Sequence, residues 1–208
     1  MKKPITFLSL IVLMALTAAG CEDEVESLST DSSAVDRVRA GDLTFTLQIL
    51  NMQGEPQSEF NEGENFQFQF VIENKGDSAY TLPVLWAFPS DNKEFFRLYR
   101  KTKESGGKAD LGKSFKLGGN FLDAHPAWIP AQGASVYTVP WLTERDTAYV
   151  MPKYLDPRGI LGDAILDRRY VAVEDSPAPL QIGTYFTGFT VSYTENDSVR
   201  LETSFKIE

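Results

Sequence analysis

The sequence contains little cysteine and little histidine, with one residue of each in 208. Because Cys21 is the only thiol, the chain can form no internal disulfide bond, and its stability must come from a hydrophobic core. His125 is the only imidazole, which argues against a transition-metal site and against a histidine-based catalytic triad. We therefore expect no metal and no cofactor, and a structural or solvent-exposed role for His125.

Long apolar runs are also missing. The segment FLSLIVLMAL (7–16) is too short to span a bilayer as a helix. It follows Lys2 and Lys3, an order of charge and apolarity that is typical of a secretion signal. The sequence therefore predicts a signal peptide over residues 1–20.

The next residues, LTAAGC (16–21), resemble the lipobox of bacterial lipoproteins, although Ala18 stands where leucine is usual. The resemblance implies that Cys21 is lipidated after cleavage and becomes the new N-terminus. The alternative is a free thiol with no such role. Lipidation implies attachment to a membrane, with the outer membrane as the expected location and its periplasmic face as the alternative to the cell surface.

Residues 22–40 lack aromatic side chains and show no sustained apolar period. Such a segment buries too little to offset its ordering entropy, so a flexible acidic tether is predicted over 21–40, about 25 Å long. Its first residues, Glu22, Asp23 and Glu24, resemble a surface-export signal of some lipoproteins, or are an ordinary solvated charge run. Removing residues 1–20 removes two lysines and takes the net charge from −9 to −11. A body this acidic is a poor partner for nucleic acid.

The body of the chain shows alternating apolar and polar residues, most clearly in GENFQFQFVIENKG (63–76). Alternation of this kind predicts half-buried strands. Further strands are predicted at 42–50, 79–88, 95–101, 134–142, 182–193 and 199–207, and a weaker one at 114–122. The last two are joined by ENDS, a plausible hairpin tip. A helical period appears only at 156–169, so the predicted fold is all-β, an antiparallel sandwich.

Two of these strands carry a resemblance to a known class. FNEGENFQFQFVIENKGDSAYTL (60–82) and PLQIGTYFTGFTVSY (179–193) resemble the second and penultimate strands of bacterial immunoglobulin-like domains. Those most similar in pattern belong with the intracellular proteinase inhibitor of Gram-positive bacteria. The resemblance implies one immunoglobulin-like sandwich over 41–208, with 143–177 as a long insertion. It also implies a tyrosine corner at Tyr185, where the phenol bonds to nearby backbone.

One motif matches a nucleotide-binding site in its residues but lacks the sequence context that such a site needs. GKADLGKS (107–114) matches the phosphate-binding loop of nucleotide-binding proteins, which needs a preceding strand and a helix that starts at the Lys-Ser pair. The following FKLGGNFL has two glycines and no helical period. A glycine-lysine hairpin loop is the better interpretation.

Aromatic residues offer the best candidate binding site. Trp86 alternates with apolar neighbours and is expected in the core, whereas Trp128 and Trp141 flank prolines in segments expected to be surface loops. With Tyr149 and Tyr154, these two tryptophans are the predicted platform, because flat rings stack on the apolar faces of sugars and loops at the ends of a sandwich often bind ligands.

Three tripeptides, Asp77-Ser78-Ala79, Asp146-Thr147-Ala148 and Asp197-Ser198-Val199, resemble an O-glycosylation motif used on exported proteins by some Gram-negative bacteria. All three fall in segments that read as turns. The resemblance implies glycans on Ser78, Thr147 and Ser198.

Three functions remain open on these grounds. The first is a non-catalytic binding or assembly module that recognises a protein or a glycan. The second is a proteinase inhibitor, as the resemblance implies. The third is a hydrolase of extracellular polymers that uses carboxylates, for which no acid pair or nucleophile stands out.

Overall fold

The structure is a computed structural model that describes residues 25–27, 34–82, 93–102, 107–114, 128–142, 146–149, 153–155, 170–173 and 179–208. All regular structure in these residues is β, so the predicted all-β class is confirmed. No helix within these ranges is long and apolar enough to cross a membrane. The strands in chain order are β1 Val25–Ser27, β2 Val35–Ala40, β3 Leu43–Leu50, β4 Glu59–Phe60, β5 Phe66–Asn74, β6 Tyr80–Thr81, β7 Leu98–Lys101, β8 Lys108–Gly112, β9 Trp128–Ile129, β10 Gly133–Trp141, β11 Asp146–Tyr149, β12 Lys153–Leu155, β13 Tyr170–Val173, β14 Gly183–Ser192 and β15 Ser198–Ile207.

The strands form two main sheets. The first has the order β1-β2-β3-β5-β10-β12, and every neighbouring pair in it is antiparallel. The second has the order β4-β15-β14-β7-β8 and is antiparallel except for the short parallel pair of β4 with β15. Two ribbons, β6-β9 and β11-β13, accompany them.

The interior lies between the two main sheets and is rich in aromatic rings. The inward-facing side chains of β5 are fully buried, as the alternation in the sequence predicts. The ring centres of Phe66 on β5 and Phe205 on β15 are 4.8 Å apart. Phe70 of β5 meets Phe189 of β14 edge to face, with ring centres 5.1 Å apart. Burial of each such ring contributes roughly 1.5–3 kcal/mol, so these contacts hold the sheets together as a sandwich.

Most predicted strands lie where the alternation put them; one is shorter than predicted, and two lie largely outside the described residues. The strand predicted at 95–101 is shorter, because Phe95 and Phe96 are buried in a turn, where Phe96 has a φ of 51°. Of 79–88, the structure describes β6 and Leu82, and the rest lies outside the described residues. Of the weaker candidate strand at 114–122, only Ser114 belongs to the described residues, and the predicted helical stretch 156–169 lies wholly outside them.

The tether predicted over 21–40 is wrong at Val25–Ser27 and again from Val35 onward, because these residues form strands β1 and β2 of the first sheet. The inward side chains of β2 include Val38 and Ala40, which are 7% and 4% exposed. The same parity also holds Asp36, whose Oδ2 accepts a hydrogen bond of 2.7 Å from the Glu202 amide of β15. A strand whose inward parity holds a half-buried carboxylate, a valine and an alanine shows no apolar period, and for this reason the sequence pattern did not reveal it.

Part of the insertion predicted at 143–177 belongs to the sandwich itself. The insertion contains β11, β12 and β13, and β12 joins the first sheet by pairing with Ala134–Val136 of β10. A three-residue strand gives no measurable alternation, so pattern alone could not find it.

The tyrosine corner predicted at Tyr185 is present. The Tyr185 hydroxyl donates to the Gln181 carbonyl oxygen at 2.5 Å, and the ring is 1% exposed. Burial raises the pKa of this phenol. The predicted hairpin of β14 and β15 also forms, and its turn is closed by the Thr194 hydroxyl, which bonds the Asp197 carboxylate at 2.7 Å.

Candidate functional site at the loop end

A cleft of about 420 Å³ opens at one end of the sandwich. Three pieces of chain line it: the β2–β3 turn at Gly41–Asp42, the segment 74–80 that follows β5, and Tyr193–Thr194 at the β14–β15 turn. We call it the loop-end cleft. Both main sheets contribute to it, so the packing of the sandwich sets its shape.

The segment after β5 is fixed by Asn74, whose side chain is 3% exposed although it is polar. Its Nδ2 donates to the Ser78 carbonyl oxygen at 2.8 Å, and its Oδ1 accepts from the Gly76 amide at 2.9 Å. A methyl group at Gly76 would lie 2.9 Å from Asp42 Oδ2 and 3.1 Å from Asn74 Oδ1, so a larger residue there would have to displace these two side chains. The buried amide therefore holds the loop in one conformation.

Two further side chains tie this wall to its neighbours. The Tyr80 hydroxyl donates to the Tyr193 carbonyl oxygen at 2.6 Å and joins the wall to the second sheet. Gln132 Nε2 donates to the Lys75 carbonyl oxygen at 2.6 Å and to Asp77 Oδ1 at 3.2 Å. The cleft is thus prepared in shape before any ligand arrives.

The chemistry of the lining is that of a hydrogen-bond acceptor. Asp42 and Asp77 bring carboxylates and Ser78 an exposed hydroxyl, while the hydroxyls of Tyr80 and Thr194 are engaged within the protein. A ligand with hydroxyl, amide or amine donors suits these groups. The described residues contain no group of three or more histidine, cysteine, aspartate or glutamate side chains arranged to hold a metal ion.

Trp141 does not belong to a surface platform, and the prediction that placed it on a loop is wrong. It ends β10, is 1% exposed and stacks on Phe66 at 6.1 Å with the rings 6° from parallel. The misleading signal was Pro140. Proline is tolerated on that side because, among the described residues, β12 pairs only with Ala134–Val136 of β10 and does not reach Pro140.

The other three predicted platform residues lie on different strands. Trp128 on β9 is opposite Thr81 of β6, beside the Tyr80 that lines the cleft. Tyr149 on β11 is opposite Tyr170. Tyr154 on β12 is opposite Ser135 of β10. A binding role for these three stays a prediction.

Two of the predicted glycosylation residues lie at the loop end of the sandwich. Ser78 is exposed and lines the cleft, and Ser198 is exposed at the start of β15, just after the β14–β15 turn. Thr147 lies within β11 opposite Ala172, so its segment is a strand and not a turn. Cys21, Trp86 and His125 lie outside the described residues.

The segment that matches a phosphate-binding loop is a strand. Lys108–Gly112 forms β8, which pairs antiparallel with β7, so its backbone serves a sheet ladder in place of a phosphate cradle. The predicted hairpin exists, but residues 108–112 are its second strand and not its loop. Burial lowers the pKa of Lys113, at the end of the motif, to about 8, and the nearby charge of Arg97 adds to this.

No protein-family model matches the chain, and no curated protein matches it in sequence. Function therefore has to be inferred from the fold and from the loop-end cleft. The residues Asn-Lys-Gly-Asp at 74–77 are typical of a turn, but no local signal in the sequence shows that this turn lines a cleft. The contributions of Gln132 and Tyr193 have no local signal, because they arise from contacts across 55 and 113 positions of chain.

Proposed function

We propose that this protein is an exported, lipid-anchored, non-catalytic binding module of the bacterial cell envelope, and that it recognises a protein or a glycan at the loop-end cleft. The observation that carries the proposal is the cleft itself. Its wall at 74–80 is held by Asn74 and Gln132 and is tied to Tyr193 by Tyr80, while the carboxylates of Asp42 and Asp77 belong to the lining. A preformed cleft with a few polar groups is the usual form of a ligand site.

The strand order supports an immunoglobulin-like sandwich. One sheet contains the neighbours β3, β5 and β10, which correspond to strands A, B and E of that fold. The other sheet contains β15, β14, β7 and β8 in this order, which correspond to strands G, F, C and C′. The tyrosine corner at Tyr185 lies at the start of the penultimate strand, where the fold has one. One departure is β12, which occupies the edge next to β10 although it follows β10 in the chain.

The proposed anchor on Cys21 would hold the cleft near the membrane. β1 begins at Val25, four residues after Cys21, and four extended residues reach at most about 14 Å. Val25 is opposite Ala40, which lines the cleft. The anchored end of the sandwich and its binding end are therefore the same end, and a membrane-proximal partner is the expected ligand.

The test is crosslinking on intact cells, followed by affinity capture of the full chain. Three proteins are compared: the parent, the cleft variant Asp42→Asn/Asp77→Asn, and the control Glu62→Gln/Glu202→Gln, which changes charge equally away from the cleft. The proposal predicts one partner that is recovered with the parent and the control and is lost with the cleft variant. Equal recovery with all three would reject the cleft as the site.

The anchor and the alternative functions are tested separately. Cys21→Ala is expected to release the protein from membranes, and a parent N-terminus that carries no fatty acid would contradict the anchor. Stoichiometric inhibition of a protease in a broad panel would favour the inhibitor alternative. Steady cleavage of an envelope polymer would favour the hydrolase and end the non-catalytic proposal.

A further inference from the structure

The outer face of the second sheet carries lysines in one row that crosses four strands. Lys108 of β8 is opposite Lys101 of β7, and Thr184 of β14 is opposite Lys206 of β15. The register of β7 with β14, continued by one residue, puts Thr184 opposite Lys101. We call these four residues the lysine row. With strands about 4.8 Å apart, it is about 14 Å long.

Two aromatic rings in the adjoining row support the ammonium groups. Tyr99 and Phe186 stack with centroids 5.3 Å apart and planes 21° from parallel. Lys108 Nζ lies 4.2 Å from the centre of the Tyr99 ring, and Lys101 Nζ lies 6.0 Å from that of Phe186. Cations over ring faces are attracted to them, so the rings hold both lysines in place.

The charges of the row are poorly compensated. Lys206 has a partner in Glu59 at 3.7 Å, with both side chains more than half exposed. Among the described residues, neither Lys101 nor Lys108 forms an ion pair, and like charges directly opposite on neighbouring strands destabilise a sheet. The pKa of Asp110 is lowered mainly by its hydrogen bond to Arg97 and further by the charge of Lys108, so this carboxylate is already bound by an arginine. Two lysines that form no ion pair with a described residue are a local exception on a chain of net charge −9, and they favour an anionic ligand.

We propose that the lysine row binds an acidic polysaccharide. Its ammonium groups suit sugar carboxylates, the Thr184 hydroxyl suits sugar hydroxyls, and a straight row suits an extended chain lying across the strands. Single-stranded nucleic acid is disfavoured because it needs open ring faces for stacking. Tyr99 is only 8% exposed and lies beneath Lys108. This second site depends neither on the loop-end cleft nor on the anchor.

The test measures binding of polygalacturonate, a linear polymer of carboxylated sugar, to the full chain at low salt. The variant Lys101→Gln/Lys108→Gln removes two cations from the row. The control Arg37→Gln/Lys93→Gln removes two exposed cations elsewhere. The proposal predicts at least tenfold weaker binding for the row variant, less than twofold change for the control, and loss of binding as salt rises. Circular dichroism and melting curves establish that both variants fold.

Four results would overturn the proposal. The first is no binding of polygalacturonate by the parent at low salt. The second is equal weakening by the row variant and the control, which would mean that net charge alone attracts the polymer. The third is an affinity for poly-L-glutamate equal to that for polygalacturonate, which would mean that the row recognises negative charge and not the sugar. Neutral dextran is expected not to bind, and equal binding of dextran would also reject a role for the carboxylates.

Discussion

The two main sheets share one core but have different outer faces. On the first sheet, neutral side chains bond to one another across three strands: Gln48 Nε2 donates to Gln69 Oε1 at 2.6 Å, and Gln69 Nε2 donates to Thr138 Oγ1 at 3.2 Å. On the second, charges dominate. Arg97 makes a two-pronged contact with Asp110, and hydrogen bonding to Arg97 lowers the pKa of that carboxyl.

The difference separates scaffold from function. Neutral side chains that satisfy one another gain little from a ligand. An exposed ion pair contributes at most about 1 kcal/mol to the free energy of unfolding, and an unpaired lysine contributes less. Folding stability therefore does not explain why this face is charged. We infer that the outer face of the central strands β3, β5 and β10 is structural and that ligand contacts belong to the second sheet and the loop end.

The largest predicted effect tests the shared core on the side of the first sheet. Trp141→Ala should lower the free energy of unfolding by about 3–5 kcal/mol, because it leaves a large cavity beside Phe66. Urea unfolding measures this. Phe186→Ala, a half-buried ring on the outer face of the second sheet, is the control and should cost far less. A loss of stability below about 1 kcal/mol for Trp141→Ala would contradict the burial of this side chain in the core.

The next effect tests the pairing of β14 with β15 in the second sheet. A methyl group on Gly188 would lie 2.6 Å from the Leu201 carbonyl oxygen, which is backbone that cannot move aside. Gly188→Ala should therefore cost about 1–3 kcal/mol in urea unfolding. Thr190→Ala, at an exposed position on the same strand, is the matched control. Equal stability of the two variants would contradict the close approach of the strands.

A smaller effect of opposite sign is expected inside the second sheet. Thr187 is fully buried, and its hydroxyl has no hydrogen-bond partner in the part of the chain that the structure describes. Thr187→Val keeps the shape and removes the unsatisfied group, so it should stabilise the protein by about 1 kcal/mol. Thermal unfolding measures the gain, and Thr187→Ser, which keeps the hydroxyl and removes a methyl, should destabilise. A destabilising Thr187→Val would show that the hydroxyl is satisfied.

The smallest effect is a pH dependence at the edge of the second sheet. The pKa of Lys113 falls from 10.5 to about 8 on folding, so between these values the unfolded chain binds more protons and stability rises with pH. We expect the parent to gain stability relative to Lys113→Met as pH increases from 7 to 9.5. Urea midpoints of both proteins measure the difference. A difference that is constant with pH would contradict the burial of this amine.

Long alternating strands could be predicted because their information is local. β5 and β15 bury one parity, and β10 and β14 do so for most of their length. β3 carries its apolar side chains on one parity over residues 43–49, although Thr44 and Thr46 on the other parity are buried as well. In all five strands the period of two is visible in the sequence alone. The tyrosine corner was equally accessible, since its hydrogen bond spans four residues. The loop-end cleft was accessible only in part. Its Asn74–Asp77 turn is a local pattern, whereas Gln132 and Tyr193 reach it from distant strands.

By itself, the sequence determined the all-β class, the inward parity of the main strands and the hairpin at the end of the chain, because side-chain alternation and turn chemistry act between near neighbours. Tertiary structure alone decided that Val35–Ala40 is a strand, that Trp141 is buried, and that distant loops and lysines meet on common surfaces. Those outcomes depend on which strands become neighbours, and the burial of a whole core selects the neighbours.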